Sequence, residues 1–355
     1  MEVTPNSNFK LDYFFSKPCE EVDEIIQNMD NHINRIAIPK KDGSKRIVLA
    51  PSKDLKYTQR CLYWKFFKKY KQHDAAHGFI NKRGIVTNAT IHVGAKSLGI
   101  IDIKSFFDSI SENHFKNVLF GNKNICKFCK YYDRMVTGEC NPSLYHNKLK
   151  DYKYMCNEIL AVFSADYYKE SGYISLFTRV IKLCTYEGFT AQGFPTSPIV
   201  ANIVLRGLDK ALTEKLQPLG INYTRYADDL CISSKTMIKD ELKKAAQSFI
   251  YKELWAFGFK PNKKKTTWKQ RTGRLKVCGI VVNEKLSIQR RLLKKFRAKV
   301  HHITVKRKDT TTRKEYRSAK GYASYIMSVD RSKGKKYYNQ LASFGKEKGW
   351  EPKDE

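Results

Sequence analysis

An α+β fold is predicted by three features of the 355-residue sequence. Residues 221–233 place β-prone runs on either side of the adjacent acids Asp228 and Asp229, the pattern of a hairpin with carboxylates at its tip. Leu98-Gly99-Ile100-Ile101-Asp102-Ile103 is a short apolar run of buried-strand length. The region after Arg290, and most stretches between the strands, carry apolar residues at helical spacing instead. Three regions follow. Residues 1–97 hold an N-terminal helix and a basic hairpin, and 98–282 hold the acid-bearing strands, interrupted at about 121–170 by a cysteine-rich insertion; 283–355 is helical and basic.

Composition narrows the partner. An apolar fraction of 41% supports a packed core, while a formal net charge of +32, spread from Lys40 to Lys353, calls for a polyanion. No apolar run approaches the length of a membrane span and no N-terminal charged-then-apolar signal is visible, so nucleic acid is favoured over membrane. The 41 Phe and Tyr residues among the basic ones supply stacking surfaces for bases as well as core. Nine cysteines without a secretory signal point to a reducing compartment, with the cytoplasm as the default.

In chain order, Val22, Ile25, Ile26 and Met29 suit a packing helix. Residues 36–51 read as strand, Asp42-Gly43 turn, strand, with Lys45 and Arg46 on the second strand; such a basic hairpin can close over a triphosphate or be a solvated surface. Leu55, Gln59, Leu62, Tyr63, Phe66 and Phe67 trace an amphipathic helix with a basic polar face. A lone histidine such as His92 is ordinarily a satisfied core residue beside a strand. A helix over 174–184 leads to a rigid Gly- and Pro-bearing turn, Gln192-Gly193-Phe194-Pro195-Thr196-Ser197-Pro198, and the helix that Pro198 opens. Another helix, 240–257, closes at Gly258; 259–266 is expected to be a basic strand edge, and 275–282 to pair with 286–288. Arg290, Arg291 and Lys294 begin a basic helix suited to nucleic-acid phosphates.

Two adjacent acids in so basic a chain repel each other unless cations neutralise them. Asp102, Asp228 and Asp229 brought to one sheet edge would make a two-magnesium site for in-line phosphoryl transfer, with the Ile103 carbonyl as a further oxygen ligand. Ala227-Asp228 lacks Gly or Asn, so a tight turn there is strained, and Tyr226 beside it is expected to face the nucleotide or primer end. Cys126, Cys129, Cys140 and Cys156 either enclose a structural zinc or remain unpaired thiols, with His146 able to replace a later cysteine.

Tyr226-Ala227-Asp228-Asp229, the strand ending in Asp102 and the Gln192–Pro198 turn, in that arrangement, resemble the ordered palm motifs of reverse transcriptases across about 46–330. Asn88-Ala89-Thr90-Ile91-His92 and Gly321–Asp330 further resemble the retron-type subgroup, bacterial enzymes that copy a dedicated structured RNA. The resemblance implies a right-hand polymerase fold with fingers, a ferredoxin-like palm and a short helical thumb. It assigns Arg46 and Gln192 to the incoming nucleotide and Phe107 to the position that screens the sugar 2′-hydroxyl, favouring deoxynucleoside triphosphates. Lys265 falls on the next palm motif, to donate a proton to pyrophosphate or to give electrostatic support. Asn88 and His92 are implied to hold RNA or to be structural. Val277-Cys278-Gly279 stands where the subgroup has Val-Thr-Gly, losing a hydroxyl at an RNA-binding position. The resemblance also implies a cognate non-coding RNA, an RNA-linked DNA product primed from a 2′-hydroxyl, and a separate effector protein in phage defence. Two other readings stay open: a defence-associated reverse transcriptase with different priming, and a catalytically idle RNA-binding protein.

Overall fold

The computed structural model describes residues 7–40, 43–120 and 172–351. In chain order its principal elements are α1 (Ser7–Phe15), α2 (Cys19–Gln27), β1 (Ile33–Pro39), β2 (Lys45–Pro51), α3 (Lys53–Lys65), α4 (Ile85–Ile91) and β3 (Ser97–Asp102). There follow α5 (Phe106–Ser109), α6 (Glu112–Phe120), α7 (Gly172–Cys184), β4 (Thr185–Tyr186), β5 (Phe189–Thr190), α8 (Ser197–Leu216), β6 (Asn222–Tyr226), β7 (Asp229–Ser234) and α9 (Asp240–Ala256). The C-terminal part holds β8 (Thr267–Gln270), β9 (Lys276–Val277), β10 (Ile280–Val281), α10 (Arg290–His301), α11 (Arg313–Val329) and α12 (Arg331–Glu347). Two compact units result, one from 1–74, 103–211 and 251–260, the other from 75–102, 212–250 and 261–355.

The first unit is knit by aromatic residues at helical spacing. Phe66 meets Phe14 and Phe177 edge to face at centroid distances of 6.0 and 6.1 Å, and Phe67 lies 6.0 Å from Phe115; such pairs add about 1 kcal/mol each beyond their burial. The Gln59 amide inside this core donates to the Leu183 carbonyl at 2.8 Å. β1 and β2 form the expected antiparallel hairpin. The Leu49 amide donates to the Gln192 carbonyl at 2.8 Å, and a Cβ on Gly193 would lie 2.3 Å from the Leu49 oxygen. Only glycine permits that approach, at φ +127°.

An antiparallel sheet of order β6-β7-β3-β8 organises the second unit. Leu98, Ile101, Leu230, Cys231 and Ile232 are buried in it, as their apolar runs require. The β9–β10 hairpin turns at Cys278-Gly279, where both residues have positive φ, and Val281 bridges to Ser287. Residues 259–266 are not the strand expected; the strand begins at Thr267, after Asn262 has closed a turn by accepting the Lys265 and Thr266 amides at 3.0 and 3.1 Å. Beyond it α10–α12 close around Phe296, Val300, Tyr316, Ile326, Leu341 and Phe344. A capping box between Thr312 and Glu315 starts α11. Among the described residues no helix is long and apolar enough to cross a membrane.

Candidate active site

β3 and β7 lie side by side with Asp102 in register with Asp229, and Tyr226 on β6 is Asp229's partner on the other side. Asp228 occupies the turn between β6 and β7, and Ala227 beside it has φ +55°, the strain expected of a two-residue turn without Gly or Asn. Asp102 is held on both oxygens: Lys265 donates to Oδ1 at 3.0 Å and the Asn262 amide to Oδ2 at 2.9 Å, while the Asn262 backbone amide donates to the Asp102 carbonyl at 2.7 Å. Burial, followed by the charges of Asp228 and Asp102, pushes the Asp229 carboxyl up to about 6, with Lys265 opposing. Lys265 is raised in turn, chiefly by its bond to Asp102. Carboxylates crowded until one resists ionisation are a donor set suited to hard divalent cations. Among the described residues no three His, Cys, Asp or Glu side chains form a ready ligand cluster, and Asp102 is engaged by Lys265 instead.

A brace behind the turn is not visible in the sequence. Ala75–Gly78 runs beside β6: the Arg225 amide donates to the Ala75 carbonyl at 2.7 Å, and the His77 amide to the Arg225 carbonyl at 2.8 Å. Arg225 is fully buried, and its guanidinium donates to the Ala227 carbonyl at 3.3 Å. A Cβ added to Gly78 would lie 2.7 Å from the Ala227 nitrogen. His77 is fixed through Nδ1 to the Thr87 hydroxyl at 2.9 Å, and Arg83 donates to the Ala76 carbonyl at 2.8 Å. Thus the strained peptide at Ala227 is wedged from one side and hydrogen-bonded from another, which is how a costly backbone conformation persists.

Comparison with known proteins gives this arrangement a family. The model of the reverse transcriptase (RNA-dependent DNA polymerase) domain matches residues 157–282. The Retron Mx162 reverse transcriptase of Myxococcus xanthus is 28% identical over 318 residues, covering 86% of this chain and 59% of that protein. The Retron Ec86 reverse transcriptase of Escherichia coli is 27% identical over 332 residues, covering 92% and 86%. These matches together support a retron-type reverse transcriptase. Its fold is accordingly the right-hand polymerase fold, with mixed helices and sheets. The chain spans under two thirds of the length of the Mx162 enzyme and most of the Ec86 enzyme.

The remaining residues expected in a retron-type enzyme fall differently. Asn88, His92 and Val277, the residues expected to hold RNA or to be structural, are buried. His92 lies against the sheet, Nδ1 2.7 Å from the Ser233 hydroxyl and Nε2 2.7 Å from that of Thr224, and burial holds its pKa down at about 4. Asn88 donates to the Cys278 sulfur at 3.2 Å. Burial pushes that thiol up to about 11, so Cys278 takes part as a neutral acceptor on a half-buried turn, with Gly279 exposed beside it.

Arg46 is exposed on β2 opposite Ile38, and Gln192 meets the same hairpin through its carbonyl, so these two expected nucleotide residues share one local assembly of the first unit. Phe107 is half-buried on α5, its ring centroid 5.0 Å from that of buried Phe106, and its carbonyl accepts from the Thr190 hydroxyl at 2.8 Å. Ile103 is buried. Arg290, Arg291 and Lys294 are exposed on α10, where Lys294, Arg297, His301, His302 and Lys306 line an open basic groove. Cys126, Cys129, Cys140 and Cys156 lie outside the described residues. Asn262 was not singled out by sequence; its signal was a Pro-Asn turn three residues before Lys265.

Proposed function

We propose that this retron-type reverse transcriptase copies a cognate structured RNA into RNA-linked single-stranded DNA, using deoxynucleoside triphosphates and two magnesium ions. The observation that carries the reading is the register of Asp102 with Asp229 beside the strained turn bearing Asp228. Asp102 and Asp228 would hold the ions, Asp229 would support them more weakly, and the Ile103 carbonyl would add an oxygen ligand. When bound, the ions acidify the primer hydroxyl and offset charge on the triphosphate. Arg46 and Gln192 seat the nucleotide, Phe107 screens its sugar, and Tyr226 faces the primer end. Lys265 holds Asp102 in place through its bond to Oδ1, and its ammonium is the proton donor to departing pyrophosphate. Exposed Arg290, Arg291 and Lys294 grip phosphates, and the Cys278-Gly279 turn meets the RNA.

A primer 2′-hydroxyl within the RNA, a separate effector protein, a role in phage defence and a cytoplasmic location complete the reading by kinship with retron enzymes. A structural zinc on the four cysteines rests on their spacing alone, and elemental analysis finding about one zinc per chain would support it. The deciding experiment replaces Asp228 and Asp229 by Ala and assays deoxynucleotide incorporation on a primed RNA template. Incorporation should vanish while RNA binding persists. Equal incorporation would eliminate the polymerase assignment of these acids, and an absence of RNA-linked DNA from cells carrying the flanking locus would eliminate the retron product.

A further inference from the structure

α3 in the first unit has two faces of opposite character. Leu55, Thr58, Gln59 and Leu62 are buried, whereas Lys53, Tyr57, Arg60 and Trp64 are exposed. At about 100° per residue these four fall within about 60° of arc and make one stripe. Tyr57 and Trp64 are 53% and 60% exposed, and their seven-residue separation spaces them about 10 Å along the axis. A single exposed aromatic needs no explanation. Two large rings alternating with cations along one line do. Exposed Lys56 flanks the stripe, and the Lys68 ammonium lies 4.6 Å from the centre of the Trp64 ring. The nearby acid Asp54 is paired with Lys17 at 2.8 Å, so the stripe stays strongly positive.

We infer that this face of α3 binds a single-stranded polynucleotide, with unpaired bases stacked on Tyr57 and Trp64 and phosphates held by Lys53, Lys56, Arg60 and Lys68. Rings at intervals between cations match bases at intervals between phosphates. A duplex offers no free base faces to the rings, and a protein interface would have to desolvate four lysine and arginine side chains at its centre, where charged residues are depleted. None of these residues belongs to the polymerase site, so the binding stands independently of that assignment.

The test uses the full chain and fluorescence anisotropy with labelled oligo(rU), oligo(dT) and a blunt RNA–DNA hybrid. Y57A/W64A should weaken single-strand binding by about tenfold or more, from the usual worth of base stacking on aromatics. Hybrid binding should stay within about twofold on the same grounds, since a duplex leaves no base to stack. Y57F/W64F should restore single-strand affinity. The larger loss, with oligo(rU) or with oligo(dT), identifies the strand as RNA or DNA. Arg60→Ala with Lys68→Ala keeps both rings and should lower the slope of log affinity against log salt by about 1.4, from two lost phosphate contacts; this variant decides the matter if the alanine pair alters the fold. Single-strand affinity unchanged in either variant overturns the inference. So does a loss that phenylalanine does not rescue, or loss of a co-purifying protein with oligonucleotide binding intact.

Discussion

His92 offers a stability test that isolates one ring. The imidazole is neutral, buried, and bonded through both nitrogens to hydroxyls on β6 and β7, the strands that carry Asp228 and Asp229. Its pKa is held at about 4, against an ordinary value of 6.5. Because the folded value lies below the unfolded one, the unfolded chain takes up the proton first. The stability due to the neutral ring is therefore whole above pH 6.5 and drains as pH falls toward 4. At pH 5 the two values give a loss of about 2 kcal/mol, approaching about 3 kcal/mol at lower pH. Urea unfolding of the natural chain and of His92→Gln at pH 7.5 and 5.0 isolates this part, since every other group titrates alike in both. The variant should start less stable by about 1–3 kcal/mol from its broken hydrogen bonds. It should then lose about 2 kcal/mol less than the natural chain on acidification. Equal losses in the two proteins would refute the neutral, buried assignment.

Other consequences can be measured more simply. Gly78→Ala drives a methyl group against the Ala227 nitrogen and should cut the turnover rate by about tenfold or more, the usual cost of misplacing a reacting group. Nucleotide KM should change much less, and Gly84→Ala, which meets nothing within 4 Å, is the matched control with unchanged rate. Lys265→Met removes the cation that opposes the rise of Asp229, so in metal-free protein that carboxyl should titrate above its present value of about 6 by NMR; a downward move would contradict the coupling. Phe107→Ala should relax discrimination against ribonucleotides, raising their relative kcat/KM by about tenfold or more if the ring screens the sugar. Unaltered selectivity would place the screen elsewhere.

Much of the site was legible because its residues carry strong local signals. The Tyr226 hairpin announced itself by alternating β-prone residues and a charge pair out of character with the chain, and its strain followed from a turn without Gly or Asn. Leu98–Asp102 is apolar enough to be only a buried strand. Segment 259–266 was misleading because Phe259 and its lysines mimic a strand edge, while the structure is set by Asn262 turning back on Asp102, a contact 160 residues away in sequence. His92 carried no local sign of which hydroxyls would enclose it, since Thr224 and Ser233 reach it only once β6 and β7 have paired. Gly78 was legible as a glycine but not as a wedge, because what demands its missing methyl is a backbone nitrogen at Ala227.

The Lys265–Asp102 pair has a consequence for biosynthesis. A nest of acids that depended wholly on external cations would fight its own assembly on the ribosome, whereas this polypeptide supplies a tethered counter-ion from its own sequence. The sheet edge can thereby form around a positive charge that the chain itself carries on a flexible stem.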